Sequence, residues 1–328
     1  MKTTNLREGM RLEGRCVATL GCFDGVHRGH QLLIGTMLRK AEEMGLPSVV
    51  VTFDRQPREL FDTDYRPQLL STLEEKEQLI AALGVDHLVV LPFTKELASL
   101  TAQAFMQQVL SEQLGAQVLV TGYDNRFGRN RAEGFDDYVR YGVALGMEVL
   151  RGDEATFPGT DEAVSSSAIR QLLLEGKVER MQESLTRPYS LTGRVVAGEH
   201  IGHEIGFPTA NLAVDNPYKV IPVSGVYAVW AKLGGGMANP SERRMPAMMN
   251  IGTRPTFDGT KQTLEVHILD KVGDVYGQVL TVEFVSRLRS EQRFDSPEAL
   301  VKQLKADRAE AMGVLENWKI GKCKNVKR

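Results

Sequence analysis

The sequence predicts two domains: an α/β domain built on a parallel sheet, followed by a small antiparallel β-barrel with a C-terminal helix. Two observations predict this. Strand and helix patterns alternate up to about Arg187-Pro188, whereas apolar runs follow one another without helices beyond that point. The 328 residues also exceed one ordinary domain, because domains usually hold roughly 100–200 residues. We therefore place the domains at residues 1–186 and 187–328.

Five short apolar runs are the expected strands of the first domain. They lie at 16–20, 48–53, 87–91, 117–121 and 147–150. Helix patterns separate them at about 30–44, 74–83, 101–114 and 133–145, and Thr101 is a suitable N-cap for the third helix. Parallel sheets of this kind bind ligands beyond the carboxyl ends of their strands. We therefore expect the functional residues of this domain in the turns that follow its strands.

The second domain is expected to consist of successive strands. Apolar runs punctuated by Gly and Pro lie at 191–197, 225–233, 245–251, 263–269 and 279–285. Such a series is typical of an antiparallel barrel. A last helix is predicted to begin after Ser296, because Ser at the N-cap, Pro297 and Glu298 form a favourable helix start.

Composition excludes several classes of protein. Forty Lys and Arg against 42 Asp and Glu leave a net charge of −2, so the chain lacks the positive excess of a polybasic nucleic-acid binder. A hydrophobic fraction of 42% argues against disorder. No apolar run approaches the about 18 residues that span a bilayer, and the N-terminus lacks a signal peptide's apolar segment. The charge balance and the short apolar runs predict neither a nucleic-acid nor a membrane partner. Three cysteines without a C-x-x-C pair predict a reduced, cytoplasmic protein.

The first chemically distinctive segment, GCFDGVHRGH at 21–30, follows the first strand and opens a helix. A glycine-containing turn at a helix N-terminus presents backbone N–H groups that suit a phosphate. His27 and His30 are three residues apart, so both can point into one pocket and donate to phosphoryl oxygens as charge builds there. A tight turn with two exposed histidines is the bland alternative. Metal ligation is another, but it lacks a third ligand beyond Asp24.

Two later segments are predicted at the same edge of the sheet. GYDNRFGRNR, at 122–131, offers three arginines that can contact phosphates, a carboxylate and two glycines; its alternative is a solvated loop. VSSSAIR, at 164–170, opens another helix. Its serines can cap that helix, and Arg170 can hold a phosphate at the same helix start.

Together these segments resemble the nucleotidyltransferase family that adenylylates flavin mononucleotide (FMN). The segment VTFDRQP, at 51–57, is similar to that family's phenylalanine-proline segment near the flavin. The chain departs from the family at Asn125, where an aromatic residue is usual, and at Ser167, where threonine is usual. The resemblance implies a Rossmann-like domain in which His27 and His30 are catalytic.

The resemblance also implies two sets of binding residues. The expected ATP and phosphate contacts in this domain are Gly21, Phe23, Asp24, Gly25, Gly29, Asp124, Arg126, Ser166, Ser167 and Arg170. The expected flavin contacts are Phe53, Pro57 and Phe127.

The second distinctive segment is GEHIGHEIGFPTAN, at 198–211, just after the first barrel strand. Glycines four residues apart make a loop that lets a ligand approach closely, although a plain β-turn explains the spacing equally well. Thr209 and Asn211 add a hydroxyl and an amide oxygen, which are hard ligands suited to Mg²⁺. Glu265 lies in an apolar strand, where its carboxylate can take a proton from a reacting hydroxyl or form a salt bridge on the barrel.

This second half resembles riboflavin kinase. Further matching segments are GVY at 225–227, NIGTRPTF at 250–257, EVHIL at 265–269, YG at 276–277 and LRSEQRF at 288–294. The resemblance implies Glu265 as the catalytic base, Thr209 and Asn211 at the metal, and flavin contacts from Arg289 and Phe294. It implies ATP contacts from Gly198, Gly202, Gly206, Phe207 and Pro208. The family often has arginine where His203 stands.

Both resemblances occur in one chain over roughly residues 17–307, in the order of the bacterial bifunctional riboflavin kinase and FAD synthetase family. That family implies ATP-dependent phosphorylation of riboflavin to FMN, then adenylylation of FMN by a second ATP to FAD and pyrophosphate. It implies Mg²⁺ as cofactor, small-molecule partners only, and a monomer or weak homo-oligomer.

Three alternatives remain open at this point. The chain can be a single-activity adenylyltransferase for another phosphate, such as phosphopantetheine or nicotinamide mononucleotide, but those families lack the FPTAN segment. It can be a relative of class I aminoacyl-tRNA synthetases, although it has no obvious tRNA-binding appendage. It can be a non-catalytic flavin sensor, which need not retain both histidines and Glu265 together.

Overall fold

The computed structural model describes residues 1–7, 9–197, 206–234, 243–256, 259–270 and 273–325. Within strands β10 and β11 the side chains of residues 254–261 are excluded from description, as are those beyond residue 318. Contacts between Cα atoms divide the chain into two compact units, Met1–Ser166 and Ser167–Arg328. Among the described residues no helix is both long and apolar enough to cross a membrane.

The first unit contains the predicted strands and helices within a few residues. Its strands are β1 (Lys2–Asn5), β2 (Cys16–Leu20), β3 (Ser48–Phe53), β4 (His87–Leu91), β5 (Ala116–Thr121) and β6 (Glu148–Arg151). Its helices are α1 (Arg28–Met44), α2 (Leu73–Ala81), α3 (Lys95–Ser99), α4 (Ala102–Phe105) and α5 (Phe135–Leu145), with short 3₁₀ turns at 57–60 and 129–131. The chain continues α4 as a π-helix over Met106–Gln113. Thr101 caps α4 as predicted, since its hydroxyl accepts from the Ala104 N–H at 3.1 Å.

The strands form a parallel sheet in the order β1-β4-β3-β2-β5-β6. The chain turns from one half of the sheet to the other between β2 and β5. Ligands bind such sheets at this switch point, outside the carboxyl ends of the strands. The turns after β2 and β5, which carry the segments at 21–30 and 122–131, therefore meet at the ligand-binding edge.

Alternate residues of the central strands pack into cores on opposite faces of the sheet. Ala18 and Val51 belong to one core, together with side chains of α4 and α5. Val17 and Val50 belong to the other, together with α1 and α2. Burial on both faces explains why these strands read as continuous apolar runs rather than as alternating ones.

The second unit begins with helices α6 (Ser166–Leu174, whose first residue closes unit one) and α7 (Val178–Leu185), followed by a closed six-stranded barrel. The barrel strands are β7 (Ser190–Val196), β8 (Ala210–Val214), β9 (Gly225–Leu233), β10 (Met245–Thr256), β11 (Gly259–Ile268) and β12 (Val279–Arg289). Their order is β10-β11-β8-β7-β12-β9, and every pair is antiparallel. Helix α8 (Pro297–Asn325) follows, with Ser296 Oγ accepting from the Ala299 N–H at 3.2 Å.

Strands β9, β10 and β12 present one face to the barrel interior and the other to α8. Tyr227 and Phe284 meet edge-to-face at 5.2 Å on the interior face. Trp230 and Met248 lie on the opposite face, buried against Ala311 of α8, and the Trp318 ring lies 6.2 Å from Trp230.

Candidate functional site

The turn after β2 has a backbone conformation that most residues avoid. φ is +49° at Phe23, +79° at Gly25 and +40° at Val26, in the region that favours glycine. The Phe23 ring is fully buried and fills the space beside Gly21, where a Cβ would lie 3.2 Å from the ring. Packing beneath the turn therefore compensates for its strain and holds it in one shape.

The turn places the two predicted histidines face to face. The rings of His27 and His30 stack with centroids 3.6 Å apart, and the Phe23 ring meets His30 at 5.2 Å. A Cβ on Gly29 would lie 3.2 Å from the His27 ring, so glycine keeps the stack uncrowded. Burial lowers the pKa of His30 well below 6.5, and the charges of His27 and Lys76 lower it further. His30 is therefore neutral near pH 7.

Asp24 anchors this turn to the start of α2. Its carboxylate accepts hydrogen bonds from the Leu70 N–H at 2.9 Å and the Ser71 N–H at 3.0 Å. Ser71 Oγ in turn accepts from the Gly25 N–H at 2.9 Å, and Ser166 Oγ donates to the Asp24 carbonyl at 2.9 Å. Two predicted nucleotide contacts, Asp24 and Ser166, thus have structural partners that fix the turn.

A cavity of about 770 Å³ opens beside the turn, within the first unit. The predicted flavin contacts Phe53, Pro57 and Phe127 all line it, as does the predicted phosphate contact Arg126. The cavity lining combines aromatic and cationic side chains. Arg129 and Arg131, the other two arginines of the segment 122–131, also line it. Lining residues that sequence analysis did not single out include Phe61, Phe93, Phe105 and Lys95.

Asn125 has a structural role in this cavity wall. Its side-chain amide donates to the Leu20 carbonyl at 2.9 Å, which joins the loop after β5 to the end of β2. Phe127, two residues on, stacks on Tyr138 with centroids 4.2 Å apart and approaches Phe105 at 5.6 Å. The aromatic surface near this position is therefore supplied by Phe127.

Among the predicted ATP and phosphate contacts of this domain, Gly21 and Arg126 line this cavity and the others do not, nor do His27 and His30. Asp124 is exposed and does not line it. Ser167 and Arg170 lie on α6 in the second unit, where Ser167 is exposed and Arg170 is half-buried.

Sequence analysis missed Lys76, because LEEKEQL reads as an ordinary solvated helix. In the structure Lys76 is only 8% exposed, on the side of α2 that faces the sheet. Its ammonium donates to Thr52 Oγ1 at 3.2 Å, and that hydroxyl donates to the Cys22 carbonyl in the turn.

The second unit carries its own site on the barrel face that α8 covers. Glu265 of β11 is directly opposite Asn211 of β8 on one side and Asn250 of β10 on the other. Residues paired in this way project to the same face. A half-buried carboxylate is thus flanked by two amide side chains.

A cavity of about 330 Å³ lies over this face. Five predicted site residues line it, namely Phe207, Thr209, Glu265, Arg289 and Phe294. Asn211 and Pro208 are not among the lining residues. Gly206 has a φ of +79°, in the left-handed region that favours glycine. Gly198, Gly202 and His203 lie outside the described residues.

His267 fixes the FPTAN segment to the barrel. Its Nδ1 lies 2.7 Å from the Pro208 carbonyl, so this nitrogen carries the proton and donates. The Phe207 ring lies 5.2 Å from the imidazole. His267 is 8% exposed, and burial lowers its pKa below 6.5.

Arg289 is held at the cavity by a carboxylate that sequence analysis did not identify. Its guanidinium makes a two-pronged contact with Asp307 of α8, at 3.0 Å from Nε and 2.8 Å from Nη2. Asp307 is 1% exposed and also accepts from Gln303 Nε2 at 2.8 Å. The Phe294 ring lies 5.8 Å from the same guanidinium.

Two family models match the chain, one to each site. A model described as FAD synthetase matches residues 10–168, and one described as riboflavin kinase matches residues 185–315. The first match contains the His27–His30 turn and the larger cavity. The second contains the barrel and the cavity at Glu265.

Similar proteins match both halves at once. The bifunctional riboflavin kinase/FMN adenylyltransferase of Escherichia coli K12 is 40% identical over 89% of this chain and 90% of its own length. The protein of the same name from Bacillus subtilis is 34% identical over 97% of this chain and 99% of its own. A crystal structure titled as a macrolide-efflux protein of Streptococcus pneumoniae is 32% identical, with a TM-score of 0.85 over 95% of this chain and 99% of that one.

Proposed function

The chain belongs to the bifunctional riboflavin kinase/FMN adenylyltransferase family, and from that premise we propose how its own residues divide the two reactions. It phosphorylates riboflavin with ATP to give FMN, and it adenylylates FMN with a second ATP to give FAD and pyrophosphate. The observation that carries the division is that each unit holds a separate cavity lined by that half's predicted residues.

We assign adenylyl transfer to the turn after β2. A phosphate oxygen of FMN attacks the α-phosphorus of ATP, and the bond to the bridging oxygen of pyrophosphate breaks. His27 and His30 stabilise the negative charge that builds on the phosphoryl oxygens. Gly21, Phe23, Gly25 and Gly29 shape the turn that receives the phosphates, and Asp24 and Ser166 keep it in place. Asp124, Ser167 and Arg170 complete the proposed nucleotide contacts.

The cavity beside the turn is the proposed FMN site. Phe53, Pro57 and Phe127 offer apolar and aromatic surface for the isoalloxazine ring, which stacks favourably on such side chains. Arg126 lines the same cavity and is the proposed contact for the FMN phosphate. A volume of about 770 Å³ falls within the usual range for pockets of drug-sized ligands.

We assign riboflavin phosphorylation to the barrel cavity. The oxygen of the riboflavin hydroxyl attacks the γ-phosphorus of ATP while Glu265 takes the hydroxyl proton. The bond between the γ-phosphorus and the bridging oxygen breaks, and ADP leaves with the electron pair. Arg289 and Phe294, which line the same cavity, are the proposed flavin contacts. Gly198, Gly202, Gly206, Phe207 and Pro208 are the proposed contacts with the nucleotide.

The residues around Glu265 also fit Mg²⁺. Thr209, Asn211 and Glu265 offer a hydroxyl, an amide oxygen and a carboxylate, all hard oxygen donors. Among the described residues no three His, Cys, Asp or Glu side chains cluster as a metal site, which favours an ion held partly by substrate phosphates. Thr209 and Asn211 would hold that ion, and when bound it would neutralise charge on the phosphate oxygens.

We propose functional limits of 1–186 for adenylyl transfer and 187–328 for the kinase. The two family matches leave residues 169–184 between them, which supports a limit near this point. We further propose that the protein acts in the cytoplasm, as a monomer or weak homo-oligomer. Burial raises the pKa of the Cys16 thiol to about 12, so it stays protonated and unreactive.

Incubation of the purified chain with riboflavin, ATP and Mg²⁺ tests this function. Chromatography should show riboflavin converted to FMN and then to FAD, with one ATP consumed at each step. Excess chelator should stop both steps. Failure to form FAD from supplied FMN and ATP would contradict the assignment of adenylyl transfer to the first unit.

A further inference from the structure

Lys76 is a buried cation that no carboxylate contacts directly among the described residues. Its ammonium makes one hydrogen bond, to Thr52 Oγ1, and no carboxylate lies within ion-pair distance of it among the residues that the structure describes. A buried ammonium is costly unless an anion accompanies it. Burial accordingly lowers the pKa of Lys76, and Cys22 and Asp24 oppose that shift in part.

The nearby acid is already committed elsewhere. The Asp24 carboxylate accepts from the backbone of Leu70 and Ser71, and these bonds hold it to the loop before α2. The two remaining N–H groups of the ammonium therefore have no acceptor in the described part of the chain. A lysine with a purely structural role would be expected to meet a carboxylate or several carbonyl oxygens.

Lys76 is also linked to the turn after β2 by two hydrogen bonds through Thr52. Thr52 Oγ1 accepts from the lysine and donates to the Cys22 carbonyl, 3.3 Å away, inside the segment 21–30. The charge of Lys76 lowers the pKa of His30, and His27 in the same turn is the other titratable group that lowers it. The cation thus lies behind the site at which the phosphates of ATP are proposed to bind.

We propose that Lys76 supplies a fixed positive charge that stabilises the departing pyrophosphate of ATP during adenylyl transfer. As the bond between the α-phosphorus and the bridging oxygen breaks, pyrophosphate leaves with the electron pair and gains negative charge. A buried cation acts strongly on that charge, because the surrounding protein screens it less than water does. The inference rests on the proposed assignment of adenylyl transfer to the His27–His30 turn.

Lys76→Met tests the proposal, since methionine fills a similar volume without the charge. FAD formation from supplied FMN should fall about 10²-fold in kcat/KM, and inorganic pyrophosphate should become a weaker inhibitor of it. Riboflavin phosphorylation in the same molecule should be unchanged and serves as an internal control. Ile80→Val, one turn along α2, is the matched packing control and should leave both activities as they are.

A second readout separates this role from simple support of the fold. In the free enzyme the NMR titration of His30, assigned with His30→Ala, should move upward toward 6.5 in Lys76→Met, because a positive charge near the imidazole has been removed. Ile80→Val should leave that titration in place. Loss of FAD formation with a lowered Tm and an unmoved His30 titration would assign Lys76 to folding and overturn the proposal.

His30→Ala separates failure of this inference from failure of the proposed site. If His30→Ala abolishes FAD formation while Lys76→Met retains wild-type kcat/KM and pyrophosphate inhibition, the Lys76 proposal alone is wrong. If His30→Ala itself forms FAD at the wild-type rate, the assignment of the turn is wrong, and the Lys76 proposal falls with it.

Discussion

The guanidinium of Arg289 and the buried carboxylate of Asp307 form a two-pronged ion pair between the end of β12 and the middle of α8. This pair fixes one wall of the barrel cavity, because Arg289 lines it and Asp307 lies behind. Arg289 is therefore held in one orientation at the cavity. Gln303 adds a second donor to the same carboxylate.

Asp307→Asn should raise the KM for riboflavin more than it lowers kcat. The amide cannot neutralise Arg289, so the guanidinium loses its fixed orientation at the cavity. Breaking such a pair should also cost up to about 3 kcal/mol of unfolding free energy. Steady-state kinase assays and urea unfolding measure the two effects.

Gln303→Leu is the matched control for this pair. It removes the neutral hydrogen bond to Asp307 and leaves the ion pair intact. Its KM for riboflavin should stay within a few-fold of wild type. An equal rise in KM in both variants would show that orientation of Arg289 does not depend on the charge of Asp307.

Glu265→Gln should abolish FMN formation while leaving FAD formation from supplied FMN. Glutamine keeps the shape between Asn211 and Asn250 but accepts no proton at neutral pH. The two reactions are measured by chromatography on one preparation. Glu298→Gln, an exposed carboxylate in the first turn of α8, should retain both activities. Kinase activity near wild type in Glu265→Gln would remove Glu265 from the role of base.

The sequence predicted best what local burial determines. The strands at 48–53, 87–91 and 225–233 have the predicted limits, because β-branched runs buried on both faces leave little choice of register. β1 and β8 were missed. β1 is a polar edge strand, KTTN, and the five residues of β8 lie inside a segment that reads as a loop.

The supporting residues of both sites could not be predicted in the same way. Lys76 and Asp307 lie on helices whose sequences read as solvated, and only tertiary packing buries them. His27, His30 and Glu265 were accessible to sequence analysis because each lies in a distinctive motif. Asp24 was identified, but its contacts with the backbone at 70–71 depend on a loop 46 residues away.

His30→Ala should make FMN accumulate from riboflavin. Removing the ring takes away a donor to the phosphoryl oxygens at the turn, which should slow adenylylation by about 10²–10³-fold, as for an oxyanion-hole donor. The kinase cavity lies in the other unit and should be unaffected. The FMN to FAD ratio over time measures this. Equal loss of both activities in a folded variant would contradict the assignment of His30.

Acid should destabilise the barrel unit through His267. Its pKa is lowered in the folded state, so the unfolded chain takes up a proton first, near 6.5, while the folded chain does not. The contribution of His267 to stability is therefore fully present above pH 6.5. It is lost as the pH falls from 6.5 to the pKa of the folded state, and below that pH no more is lost.

His267→Gln removes this titration and leaves an amide that can still donate to the Pro208 carbonyl. The wild-type chain should lose Tm relative to His267→Gln as pH falls from about 7.5 to about 5. Comparing the two proteins cancels the contribution of His30 in the other unit. A constant difference in Tm across this range would show that His267 has an ordinary pKa.

A fragment limited to the proposed kinase region, 187–328, should be less stable than one that also includes helix α7. Gln182 donates to the carbonyls of Phe284 and Val285 at 3.2 and 2.7 Å and accepts from Trp318 Nε1 at 3.0 Å. Met181 and Leu185, on the same helix, are fully buried. Deleting α7 therefore uncovers two apolar sites, at a cost of roughly 3–6 kcal/mol for two side chains.

A fragment of residues 167–328 should fold and phosphorylate riboflavin with a KM near that of the full chain. A fragment of residues 187–328 should unfold at a lower urea concentration, and Gln182→Ala in the longer fragment should fall between them. Equal unfolding midpoints for the two fragments would show that α7 does not stabilise the barrel and that the kinase is complete from residue 187.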